Sequence, residues 1–223
     1  MADPGYPCNR HFVRLFEGRA RLVPLDASTS YQLTAALIRR HWTPATRAVL
    51  ISSPSNPTGT LVPDADMAEI VRIVHELGGV LIVDEIYHGL TYGVPAKSVL
   101  HHSADVFVVN SFSKYYGMTG WRVGWLVAPV GFVEAIERLA QNIFLAASTP
   151  AQHAALAAFK PDVLAELGRR RDEFRAASGE HQLAEERRLA YVAFTRARRE
   201  LYLTASWWQT GSRPRVLSPF LLE

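Results

Sequence analysis

Three short apolar runs constrain this chain more than any other feature: Arg47–Ser52 (RAVLIS), Gly79–Asp84 (GVLIVD) and Asp105–Asn110 (DVFVVN). Each is rich in Val, Ile or Leu with no polar alternation, so each reads as a strand that buries both faces. Amphipathic segments lie between them. Thr29–Trp42 repeats Tyr31, Leu33, Leu37 and Ile38 at helical spacing, and Pro63–Leu77 reads as a helix opened by proline and acidic residues. Arg21–Asp26 and Val123–Ala128 read as further strands, and Gly131–Leu145 and Thr149–Phe159 as helices. Strands of this kind separated by helices predict an α/β fold of three αβα layers around a mostly parallel sheet.

In such sheets ligands bind at the carboxyl ends of the strands. The segments just past those ends are SPSNPTG, EIYHG and SFSKYYGMTGWR, and they hold polar, chemically capable residues. Lys114 lies in the third. A loop lysine is ordinarily a solvated one, but Ser111, Ser113 and Arg122 beside it supply two hydroxyls and a guanidinium suited to a phosphate dianion. Gly117, Gly120 and Gly124 allow tight turns and close backbone approach, or are ordinary loop punctuation. Asp84 ends an apolar strand, where a carboxylate is costly unless it meets a cation or caps a helix. Tyr87 follows three residues on and could simply pack, and Asn56 sits in Asn-Pro-Thr-Gly, a turn sequence in its own right.

Taken together, SPSNPTG, VDEIYHG and SFSKYYGMTGWRVGW, with DPGYP near the amino terminus, resemble in order and spacing the motifs of class I/II aminotransferases of pyridoxal 5'-phosphate (PLP) fold type I. The resemblance covers about the first three-quarters of the chain, residues 1–177. It implies that Lys114 carries PLP covalently and moves the substrate's α-proton. Asp84 would pair with the pyridinium nitrogen, and Tyr87 and Asn56 with the ring's phenolic oxygen. Ser111, Ser113 and Arg122 would hold the phosphate, and Tyr6 would stack on the ring. It also implies amino-acid and 2-oxo-acid substrates and a homodimer, while the lone Cys8 fits a cytoplasmic location. Among the lysines, Lys114 is the expected attachment point, because neither Lys97 nor Lys160 sits near a carboxylate that could meet a pyridinium or a serine pair that could meet a phosphate.

Against the family pattern, an upstream segment with a glycine-rich turn and a small domain with a carboxylate-binding arginine have no counterpart here. An incomplete core, weakly active or inactive alone, is therefore expected. Composition shifts near Ala176–Gly179, and residues 178–223 are expected to form a separate small α/β appendage. Within it EERRLAYVAFTRARRELYLT resembles motif VI of UvrD/Rep-type superfamily 1 DNA helicases, with a helix over Leu183–Arg196, a strand over Glu200–Thr204 and Arg196 at the γ-phosphate position. No G-x-x-x-x-G-K-[ST] accompanies it, so Arg196 has no triphosphate to act on and reads as a solvated arginine. A helicase fragment that binds nucleotide or nucleic acid and a non-catalytic PLP-fold scaffold are the alternatives to an aminotransferase.

Other classes are disfavoured by content. The net charge of +3 is concentrated in the last quarter, where GRRRDEFR reads as a solvated helix face. One cysteine, Cys8, allows no internal disulfide. No apolar run approaches a membrane span, and Met1 is not followed by the basic and apolar regions of a signal peptide. The eight histidines lack metal-ligand spacing, and His75 reads as a helix-surface residue.

Overall fold

The computed structural model of the chain describes the backbone of residues 1–176 and the side chains of residues 1–173. The helicase-like segment, its helix and strand and Arg196 lie outside the described residues. Two compact units divide the chain, Met1–Arg171 and Asp172–Glu223.

In the first unit β1 (Ala2–Asp3) pairs in parallel with β2 (Val23–Pro24), with α1 (Cys8–Leu15) between them. The second sheet has the order β3 (Ala48–Ser52), β4 (Val80–Asp84), β5 (Phe107–Ser111), β6 (Gly124–Val127). The first three strands are parallel and β6 runs antiparallel to β5, which makes the sheet mostly parallel, as the strand pattern predicts. Ser52 sits beside Asp84, and Asp84 beside Val109, so the carboxyl ends of β3, β4 and β5 share one edge.

Three expectations need correction. The helix foreseen over Thr29–Trp42 is shorter: α2 spans Ala35–His41. Thr34 caps it by accepting from Leu37 N–H, while Ser30 and Tyr31 take positive φ and cannot join it. The strands are also not buried equally on both faces. Leu81 and Val83 are 2% and 1% exposed, whereas Val80 and Ile82 are only half-buried. The short strand expected over Arg21–Asp26 is reduced further, to the two residues of β2.

α3 (Asp64–Glu76) begins just after Pro63, with Asp64 and Asp66 in its first turn, where acidic residues favour a helix start. It buries Met67, Ile70, Ile73 and Val74 in one core with Ile51, Val83, Val106 and Val108. A smaller cluster of Phe112, Ala155 and Ala158 lies beyond β6, against α5 (Thr149–Ala158). α4 (Val130–Ile143) separates β6 from α5, and α6 (Pro161–Ala176) follows. The arginine run in α6 is used locally: Arg169 and Arg170 both bind Glu166 at 2.7 Å, which holds its carboxyl down to about 2. No helix among the described residues is long and apolar enough to cross a membrane.

Candidate active site

The shared edge of β3, β4 and β5 carries the loops in which the candidate residues lie. The β3 loop folds back on itself through Ser55 N–H to Thr60 O and Gly59 N–H to Ser55 O, and its Ser53-Pro54 and Asn56-Pro57 bonds are cis. This presents Asn56, whose Nδ2 donates to the Tyr87 hydroxyl oxygen at 3.3 Å. From the β5 side the Lys114 ammonium stands 5.5 Å from the centre of the Tyr87 ring. Asn56, Tyr87 and Lys114 are therefore brought together from three different strand ends.

Asp84 ends β4 half-buried, and its Oδ1 accepts from Ile86 N–H at 3.1 Å. Burial pushes its carboxyl above the usual range. The Ile86 hydrogen bond opposes this, Glu85 adds to it, and the charges of His88 and Lys114 counter it. A carboxylate placed this way favours a cationic partner.

Ser111 Oγ lies 2.9 Å from Ser113 Oγ and accepts from Ser113 N–H at 3.0 Å, so the two hydroxyls form one polar patch. β6 closes on this patch: Gly124 pairs with Ser111, and a Cβ at Gly124 would stand 2.7 Å from Asn110 O. The close approach requires glycine there, and Gly117 takes φ +67°, whereas Gly120 has open space around it. Arg122, two residues before β6, is held in the left-handed region at φ 51° and ψ 50°, a strained setting for a non-glycine residue. Its guanidinium donates to Thr119 O at 3.0 Å.

Tyr6 is placed elsewhere. It is 42% exposed and lines a cleft of about 200 Å³ with Arg10, Gln32, Ser52 and Ser55. Asn56 and Tyr87 line a second cleft of about 450 Å³ that shares Ser55 with the first. Neither cleft is lined by Asp84 or Lys114.

Two of the lysine expectations can be compared directly. Lys97 does have a carboxylate neighbour, because its Nζ sits 2.8 Å from Asp64, which also meets His102 Nε2 at 2.9 Å. That cluster lies at the start of α3, at the surface, and holds Lys97 in an ion pair. Lys160 is exposed at the end of α5.

Sequence reasoning passed over Glu85, His88, Gly89 and Tyr115. Glu85 is 3% exposed and His88 bonds to it, so a carboxylate directly after Asp84 with a histidine three residues on was the available signal. Gly89 takes φ +91°, and a Cβ there would lie 2.6 Å from the Tyr115 ring next to Lys114.

Known proteins supply the comparison. The family described as "Aminotransferase class I and II" matches residues 1–190. The valine–pyruvate aminotransferase of Mycobacterium tuberculosis is 40% identical over 168 residues, 74% of this chain and 43% of that protein. The (5-formylfuran-3-yl)methyl phosphate transaminase of Methanocaldococcus jannaschii is 35% identical over 177 residues, 78% of this chain and 45% of that protein. Among solved structures, an aminotransferase from Mycobacterium tuberculosis superposes with a TM-score of 0.75 at 39% identity, covering 78% of this chain and 45% of that one. A putative aminotransferase from Silicibacter pomeroyi gives 0.72 at 38% identity, over 86% of this chain and 50% of that one. The chain thus spans about half the length, or less, of the proteins it matches. These neighbours support the three-layer α/β fold. The helicase resemblance gains no support from them, and the family match reaches residue 190, into the segment that carries it.

Proposed function

We propose, from the premise that this chain belongs to the aminotransferase class I and II family, that its β3, β4 and β5 loops hold PLP for amino-group transfer between an amino acid and a 2-oxo acid. The observation that carries the reading is the convergence of Lys114, Tyr87 and Asn56 beside a half-buried Asp84 whose carboxyl is pushed up by burial. The donor set fits the group: a carboxylate, a phenol–amide pair, a hydroxyl pair and an amine, at adjacent strand ends.

When bound, PLP supplies a protonated pyridine ring that accepts the electron pair left by breaking a substrate Cα–H bond. The remaining chemistry belongs to the chain. Asp84 would face the pyridinium nitrogen and keep its proton in place, and the cation would relieve the cost of the buried carboxylate. Because Asn56 donates to the Tyr87 oxygen, the Tyr87 proton is left for the cofactor's phenolic oxygen. Ser111 and Ser113 would receive the phosphate, with Arg122 as its cation. Lys114 would attach the cofactor and shuttle the α-proton. A second copy of the chain is the partner this reading supplies. The relatives' names span valine–pyruvate, aspartate and a furan phosphate, so family membership does not select the substrate.

The test is incubation of the full chain with PLP, borohydride reduction and peptide mapping. Label should land on Lys114 and vanish in Lys114→Ala, with little or no turnover of amino acids by the chain alone. Equal label on Lys97 or Lys160, label that persists in Lys114→Ala, or no label at all would overturn the reading.

A further inference from the structure

Glu85 is the deepest charged side chain at the strand-end edge, 3% exposed, and the chemistry above makes no use of it. A buried carboxylate has to be satisfied on both oxygens or it destabilises the fold. Its Oε1 accepts from Val99 N–H at 2.7 Å, and its Oε2 stands 3.5 Å from His88 Nδ1. The other ring nitrogen of His88, Nε2, lies 3.1 Å from the carbonyl oxygen of Ser53. The imidazole thus bridges a carboxylate on the β4 loop and a main-chain carbonyl at the start of the β3 loop, and both neighbours are acceptors. The ring meets an acceptor on each side, with Nε2 within hydrogen-bond distance of the Ser53 carbonyl oxygen.

The bridge spans the two loops that present Asn56 and Tyr87. Ser53 is itself fixed by its N–H to Asp84 O at 3.1 Å and by Val62 N–H to its Oγ at 3.0 Å. Beyond Ser53, Asn56 Nδ2 donates to Tyr87 Oη across the loops at 3.3 Å. That length is already beyond the ordinary range, so a displacement of a few tenths of an ångström would break it.

We propose that His88, anchored by buried Glu85, is a positioning residue that sets the separation of the β3 and β4 loops and so holds Asn56 against Tyr87. The proposal rests on the function proposed above for what Asn56 and Tyr87 do, but the clamp itself is a property of the chain without cofactor.

The experiment is amide hydrogen exchange on the full chain, resolved by peptide, for wild type, His88→Phe and His88→Gln. Phenylalanine keeps the ring volume and removes both ring nitrogens, and glutamine keeps a donor for Ser53 O. His88→Phe should speed exchange in 53–62 and 84–90 by about tenfold, the loss of one or two buried hydrogen bonds. Exchange in 67–83 should stay unchanged, and His88→Gln should recover most of the loss in 53–62. Unchanged exchange in the loops, an equal rise in 67–83, or no recovery with glutamine would overturn the proposal. Should His88→Phe not fold because Glu85 Oε2 is left buried without a partner, the double variant E85Q/H88F carries the same test. In parallel, the rate of PLP labelling at Lys114 is compared between wild type and His88→Gln, with a change of less than threefold expected. A wild type that does not label while the exchange pattern holds would count against the proposed function and leave the clamp standing; the reverse result would count against the clamp alone.

Discussion

The two halves of the sheet are built differently. On the β3–β5 side, α3 places Met67, Ile70, Ile73 and Val74 into a core that continues through Ile51, Val83 and Val108. On the β6 side, α4 has no buried residue, and its Val133, Leu139 and Ile143 are 48%, 52% and 62% exposed. What holds that side is aromatic: Phe112 meets Tyr116, Trp125 and Phe159 at ring-centre distances of 4.8, 5.1 and 5.4 Å, and Phe132 meets Phe107 at 5.2 Å. The first half holds the larger cluster of buried apolar side chains in the described unit. The second brings β6 and its arginine turn to the serine pair with much less buried surface behind them. Candidate residues draw on both: Asn56, Asp84 and Tyr87 stand on the packed half, while Ser113, Lys114 and Arg122 stand on the lightly packed one.

The strongest way to break this comparison is a cavity in the packed half. Ile70→Ala removes a side chain with 0% exposure and should cost about 2–5 kcal/mol, read from chemical denaturation. A loss below about 1 kcal/mol would mean that the core does not carry the unit.

The seam between the halves comes next. Gly89→Ala forces an alanine to φ +91° and drives its Cβ toward the Tyr115 ring. It should cost about 2 kcal/mol and reduce PLP labelling of Lys114 next door. Unchanged stability with unchanged labelling would show that the Gly89–Tyr115 contact gives way freely.

Asp84→Asn sharpens the comparison from the other side, because there the packed half works against itself. Burial raises the Asp84 pKa in the folded chain, so the fold binds its proton more tightly than the unfolded chain does. Stability from this group is full below the ordinary carboxylate value and is lost as pH rises through the raised one. Asparagine keeps the Ile86 contact and removes that loss. The variant should be more stable by about 0.5–2 kcal/mol at neutral pH, with no gain at acid pH, while PLP labelling falls. A variant that is less stable at neutral pH would remove the argument that Asp84 is held at a cost.

The smallest effect is expected on α4. Leu139→Ser should change stability by less than about 0.5 kcal/mol, because half of the side chain already faces solvent. A loss of 2 kcal/mol or more would mean that this face is covered in solution and that the two halves are closer in packing than they look.

How far the sequence could be read depended on whether its signals were local. The runs RAVLIS, GVLIVD and DVFVVN mark β3, β4 and β5 to within one or two residues, because a strand needs only its own apolar side chains to declare itself. Pro63 with two following acids marks the start of α3 for the same reason. The Tyr31 end of the helix predicted over Thr29–Trp42 failed where a side-chain cap at Thr34 and two left-handed residues competed with periodicity. Equal burial of both strand faces could not be read either, since what covers a face comes from elsewhere in the chain.

By itself the sequence determined the order of the motifs along the chain and the identity of the groups at or past each strand end: Asn56, Asp84, Tyr87, the serine pair and Lys114. Only the tertiary structure decided which of them meet. It put Asn56 at 3.3 Å from Tyr87 and Lys114 over the Tyr87 ring, and it put Tyr6 in a neighbouring cleft. It also made Glu85 and His88 a bridge from the β4 loop to Ser53, across 35 residues of chain. The physical reason is range. Strand and cap preferences are set by side chains a few residues apart, whereas a hydrogen bond between loops depends on sheet register to a fraction of an ångström, which no local pattern encodes.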